Sequence, residues 1–170
     1  MGRPCGREPQ KGTRLMPAWT APQEVQDLAF RYAQAVDRRD AGKLLSVFTA
    51  DGAVMGYGEN PISFRGEAGL RDMTDKLSAF RMTMHNVFNQ TFEMDADGKL
   101  TGETYCIASH ILPGESWRVM DMALRYHNSY RQENRGWRFF ERRLEVLWVE
   151  TRAVSPFVPS MMKEDLGDFV

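Results

Sequence analysis

Apolar residues recur at helical spacing from Pro22 to Arg39, through Val25, Leu28, Ala29, Tyr32, Ala33 and Val36. This pattern predicts an amphipathic first helix with Pro22 in its opening turn. Asp40 is placed to cap a second, short helix carrying Leu44, Leu45 and Phe48, which an Asp51-Gly52 turn would close. The period then shortens. Ala53 to Tyr57 reads as a first strand, Phe64-Arg65-Gly66 as a brief extended piece, and Glu67 to Leu77 as a third helix.

Four long strands follow, at 82–94, 99–112, 117–131 and 137–150. Asp95-Ala96-Asp97-Gly98, Pro113-Gly114 and Glu133-Asn134-Arg135-Gly136 separate them as turn signals. Helices followed by a strand meander predict an α+β fold, in which a strongly curved, mostly antiparallel sheet wraps the N-terminal helices into a cone-shaped barrel. No internal repeat and no phosphate-cradling glycine loop interrupts this layout.

Alternation along each strand assigns its faces. On the last strand Phe140, Arg142, Leu144, Val146 and Trp148 share one face, so Arg142 is expected to point into a mostly apolar concavity. Met120, Met122, Leu124 and Tyr126 form the expected inner face of the preceding strand, with His127 on the outer one. Cys106, Ala108 and His110 share a face of the strand before that, and Cys106 reads as a small core residue.

Composition narrows the function. A chain of 170 residues, 42% of them hydrophobic, is enough for one domain with a real core, expected over 21–152. With 22 basic against 23 acidic residues, no excess positive field exists to hold nucleic acid or an anionic membrane surface. No apolar run approaches the roughly 18 to 20 residues that span a bilayer. Two cysteines are too few for a disulfide framework, and a cytoplasmic location is expected. Residues 1–20 read as a flexible leader, with Met16 as an alternative start. The tail at 153–170 is apolar enough to cover a pocket or a neighbouring subunit.

The chemistry-bearing positions are Tyr32 and Asp37 on the first helix and His85 on the first long strand. A phenol, a carboxylate and an imidazole at core-facing positions point to a buried acid/base site, because such groups are costly to bury unless paired or used. A histidine oriented by a carboxylate can remove a proton next to a carbonyl. Tyr32 or Tyr57 would hydrogen-bond the oxygen on which charge builds. Arg142 would act electrostatically or hold a leaving group, and His110 would protonate a departing hydroxyl. Tyr126, Leu124, Trp148 and Asn89 complete the expected substrate wall.

The run Leu28-Ala29-Phe30-Arg31-Tyr32-Ala33-Gln34-Ala35-Val36-Asp37, the strand Met84-His85-Asn86-Val87-Phe88-Asn89 and the closing Gly136-Trp137-Arg138-Phe139-Phe140-Glu141-Arg142-Arg143 resemble the SnoaL-like group of the nuclear-transport-factor-2-like superfamily. Within it the chain resembles scytalone dehydratase, bile-acid 7α-dehydratase and hexachlorocyclohexane dehydrochlorinase, over about residues 22–150. The resemblance implies a cofactor-free elimination enzyme with a deep apolar pocket, often a homotrimer, although a dimer is also compatible. Asp37 and His85 match the family's catalytic dyad and Tyr32 the dehydratases' pocket tyrosine. Arg142 matches the dehydrochlorinase arginine, and His110 the second histidine of scytalone dehydratase. Leu124 and Tyr126 replace polar pocket residues of the scytalone enzyme, so a different substrate is expected.

Other readings are a ketosteroid-isomerase-like or polyketide-cyclase-like enzyme, and a non-catalytic ligand-binding or oxygenase small-subunit-like protein of the same fold. A two-histidine, one-carboxylate metal site from His85, His110 and Asp37 is a further alternative without a supporting short motif. The preferred expectation is a lyase acting on a small, apolar, cyclic oxygenated substrate.

Overall fold

The computed structural model describes residues 21–57 and 61–156, so the expected leader and most of the expected tail lie outside the described residues. Helix α1 (Gln23–Asp37) buries Val25, Leu28, Ala29, Tyr32 and Val36 on one face. Pro22 stands just before the helix rather than within its first turn. Its carbonyl accepts from the N–H groups of Val25 and Gln26. Helix α2 (Ala41–Ser46) is capped by Asp40, whose carboxylate accepts from the Lys43 N–H at 2.9 Å. Phe48 belongs to strand β1 (Phe48–Gly56) and not to α2. Asp51-Gly52 forms no turn after the helix. It lies in an irregular stretch of β1, which advances from Phe48 to Ala53 while its neighbour advances only from Phe139 to Glu141.

Strand β2 (Ser63–Arg65) pairs back onto β1 and leads directly into α3 (Gly66–Leu77). A Cβ on Gly69 would come within 2.8 Å of the Phe64 backbone, so the missing side chain lets α3 lie close against β2. The long strands are β3 (Met82–Met94), β4 (Leu100–Ile111), β5 (Arg118–Glu133) and β6 (Gly136–Ala153). They join in the order β2-β1-β6-β5-β4-β3, antiparallel throughout except for the parallel β1–β6 pair. The sheet is therefore mixed and keeps two edges, β2 and β3. Among the described residues it is not closed into a barrel.

Curvature comes from irregularities that simple alternation does not foresee. On β6, Tyr130 pairs with Phe139 but Ser129 with Glu141, leaving Phe140 as an extra residue. A second shift sets Ala123 opposite Trp148 and Leu124 opposite Val146, with Leu147 left over. Each extra residue resets the phase of the strand. Phe139 and Arg142 are thus both buried, whereas Phe140 faces out and stacks against Arg131. Beyond the second bulge Trp148 lies on the face opposite Met122 and Leu124. A third bulge on β3, between Val87 and Gln90, puts Gln90 rather than Asn89 on the inner face. There its side-chain amide donates to the Gln26 carbonyl of α1 at 3.2 Å.

The core fills the space between α1 and the concave sheet face with Leu28, Val36, Leu44, Phe48, Leu100 and Phe139. At one end this filling stops short. Among the described residues no helix is long and apolar enough to cross a membrane.

Candidate active site

A cavity of about 220 Å³ opens where the core ends. Tyr32 and Val36 of α1, Ala108 and His110 of β4, Leu124 and Tyr126 of β5 and His85 of β3 all face it. Met73, Lys76, Leu77 and Phe80 line it from α3 and the loop that follows. Its lining is mostly apolar, so a charged group inside would interact strongly with any polar wall residue.

His85 reaches this wall from β3, where it pairs with Ala108 of β4. Its Nδ1 lies 2.7 Å from Oδ1 of Asp37, the last residue of α1. Asp37 Oδ2 accepts the backbone N–H of His85 at 2.9 Å, and Thr83 donates its hydroxyl to Oδ1 at 3.1 Å. A carboxylate at a helix C-terminus opposes the helix dipole, and these donors offset that penalty. Burial alone would raise the Asp37 pKa, but the hydrogen bonds and electrostatic attraction of His85, with help from Thr83, hold it below the usual carboxylate range. Asp37 is thus an ionised acceptor that fixes the ring. With Nδ1 engaged, Nε2 is the nitrogen left for the cavity. Sequence reasoning paired Asp37 with His85 but missed Thr83, which its register opposite His110 places beside them.

His110 stands next to His85, with ring centroids 5.8 Å apart, and packs on Phe80 at 4.6 Å. It is buried, and its Nδ1 has no partner among the described residues. Burial first, and the adjacent His85 second, lower its affinity for a proton. Tyr32 is also buried, and desolvation raises its phenol despite the lowering field of Arg142. Tyr126 is pushed well up, again chiefly by burial. Burial raises the Cys106 thiol to about 11, which suits a core residue and not a nucleophile.

Arg142 is completely buried but does not form part of the cavity wall. Three other expected wall residues stand elsewhere. Tyr57 lies across the outer face, half exposed, edge-on to His127. Trp148 is half exposed because of the β6 bulge, and Asn89 is exposed at the β3 bulge. These three do not line the cavity. His127 sits on the outer face between Glu103 and Glu145. Among the described residues, no group of three or more His, Cys, Asp or Glu side chains is arranged to hold a metal ion.

Two of these groups give stability a pH dependence with a definite sign. His110 binds its proton less readily folded than unfolded, so lowering the pH through the ordinary histidine value of 6.5 favours the unfolded chain. The cost is complete below its folded value. Asp37 is also depressed, so its contribution is full above the ordinary 3.8 and is lost as pH falls through its folded value. Thermal melts should therefore show a first decline starting near pH 6.5 and a second below about pH 4. His110→Gln should remove the first decline only; an unchanged upper decline in that variant would contradict the assignment.

A SnoaL-like domain model matches residues 18–143, which includes both members of the dyad. The chain belongs to the SnoaL-like family. Solved structures share the fold of this SnoaL-like chain. Hexachlorocyclohexane dehydrochlorinase LinA-type3 from Novosphingobium barchaimii LL02 is 20% identical, with a TM-score of 0.66 over 79% of this chain and 92% of its own. A Novosphingobium aromaticivorans protein named for scytalone dehydratase is 19% identical, with a TM-score of 0.65 over 79% and 91%. ActVI-ORFA from Streptomyces coelicolor is 16% identical, with a TM-score of 0.61 over 74% and 96%. No curated protein sequence matches the chain at a significant level. At these identities the likeness establishes the fold, and the names of these relatives include lyase-type enzymes.

Proposed function

We propose that this SnoaL-like chain is a cofactor-independent lyase of the dehydratase type, acting on a small, apolar, cyclic substrate that carries a carbonyl and a hydroxyl two carbons away. The observation that carries the reading is the 2.7 Å contact of Asp37 with His85 Nδ1 at the wall of an apolar cavity. Nε2 would take the proton next to the carbonyl, and the released electron pair would move onto the carbonyl oxygen. Asp37 stabilises the imidazolium so formed. Tyr32 would donate a hydrogen bond to the developing oxyanion. Collapse of the enolate would then form the carbon–carbon double bond and expel the hydroxyl, which leaves as water with the proton returned by His85.

The environment of His110 changes its expected part. A buried histidine whose protonation is disfavoured is a poor proton donor at neutral pH, so its role here is to hydrogen-bond the departing oxygen. A homo-oligomer is also part of this reading. Val146, Leu147, Trp148 and Val149 are all 41–51% exposed on the part of β6 beyond its pairing with β1, and such an apolar edge favours cover by another chain.

Incubation with a panel of cyclic β-hydroxy ketones, followed by mass analysis of products, tests the reaction class. A product lighter by one water supports the lyase; conversion without change of mass would replace it with an isomerase. No conversion of any carbonyl substrate by a folded protein would count against both.

A further inference from the structure

Among the described residues Arg142 is the largest fully buried side chain, and no carboxylate there lies within salt-bridge distance of it. Its Nη1 donates to Asn128 Oδ1 at 3.1 Å, Asn128 in turn donates to Thr104 at 3.0 Å, and its Nε has no partner. The guanidinium carbon lies 3.8 Å from the Tyr126 ring centre, 4.4 Å from that of Tyr32 and 4.8 Å from that of Phe139. Ring faces compensate a buried cation only in part, so its positive field remains unneutralised. Tyr32 and Tyr126 line the cavity, whereas Arg142 does not. Direct contact with a ligand is therefore not its role.

We infer that Arg142 is a positioning residue that acts through Tyr32, making this phenol the group that holds negative charge on a ligand oxygen, and that the cavity selects ligands whose oxygen becomes anionic. Resting on the carbonyl chemistry proposed above, this assigns the substrate to compounds that form an enolate or phenolate. A hydrogen bond from a phenol strengthens as negative charge grows on its acceptor, and a nearby cation favours the shift of electron density toward the tyrosine oxygen. The field of Arg142 on the Tyr32 hydroxyl has this sign. In a low-dielectric wall the effect reaches across the ring without contact.

Substituted phenols of graded acidity provide the probe, because their ionisation on binding is read directly from the ultraviolet spectrum and needs no turnover. The wild-type protein should lower the apparent pKa of the bound phenol by about one to three units. Arg142→Met removes the charge, and Asn128→Asp leaves the volume intact while giving the guanidinium a neutralising partner. Each should raise the bound phenol's value by about one unit or more. With Tyr32→Phe in place, only the direct long-range field of Arg142 remains, so Arg142→Met should cause a clearly smaller shift than it does with Tyr32 present.

The inference is overturned if the wild-type protein shows no preference for the ionised probe, if Asn128→Asp leaves ionisation unchanged, or if Arg142→Met shifts it as much without Tyr32 as with it. Circular dichroism melts identify a misfolded Arg142→Met, and Asn128→Asp then decides alone. The expected pattern with probes, but no loss of water from any ketone, would remove the lyase reading and leave Arg142's role standing.

Discussion

His85→Ala should lower turnover of a true substrate by about 10² to 10⁴-fold, the range that a positioned acid/base group supplies. The loss should fall on kcat, because the imidazole moves the proton in the transition state and contributes little to holding an apolar ring system. Folding should survive. Asp37 keeps the His85 backbone N–H and the Thr83 hydroxyl as donors, so removal of the ring does not leave the carboxylate bare. Steady-state kinetics together with a thermal melt check this. A folded variant with full kcat would show that some other group removes the proton.

Asp37→Asn should cost about 10²-fold or more in kcat, although it changes one oxygen for an amide nitrogen of similar size. The reason is the tautomer. The carboxylate accepts from Nδ1–H, which leaves an unprotonated Nε2 for the cavity. With asparagine there, the amide nitrogen can face Nδ1 and donate to it, which moves the ring proton to Nε2 and removes the base. The variant also loses charge stabilisation of the imidazolium. Its distinguishing signature is that the KM stays near the wild-type value while kcat falls; a pure rise in KM would mean that Asp37 shapes binding rather than proton transfer.

Where the sequence is regular, the fold can be read from it. Helical spacing in α1 brings Tyr32 and Val36 to the cavity, and the same helix ends on Asp37. The Asp40 cap and the turn signals before β4 and β6 are visible in local chemistry, since Asp95 accepts from the N–H groups of Asp97 and Lys99, and Gly136 adopts a φ of 96°. Alternation on β4 and β5 places His110, Leu124 and Tyr126 correctly on the concave face.

It fails where a strand carries an extra residue. Phe140, Leu147 and the bulge after Val87 reset the phase, and nothing in the residue types announces them. Trp148 and Asn89 leave the inner face for that reason. Arg142 was legible as inward but not as sealed behind two phenols, because depth depends on how Tyr32 of α1 and Tyr126 of β5 meet. Cavity residues from α3 and the loop after it, such as Phe80, were invisible for the same reason.

The protonation pattern of the His85 ring tests the central claim without any substrate. With three histidines in the chain, long-range ¹H–¹⁵N correlation spectra can be assigned by substitution of each in turn. At neutral pH the neutral ring of His85 should carry its proton on Nδ1, bonded to Asp37, with Nε2 unprotonated, and Asp37→Asn should reverse this. A ring protonated on Nε2 in the wild-type protein, or a Nδ1 signal indifferent to Asp37→Asn, would contradict the account.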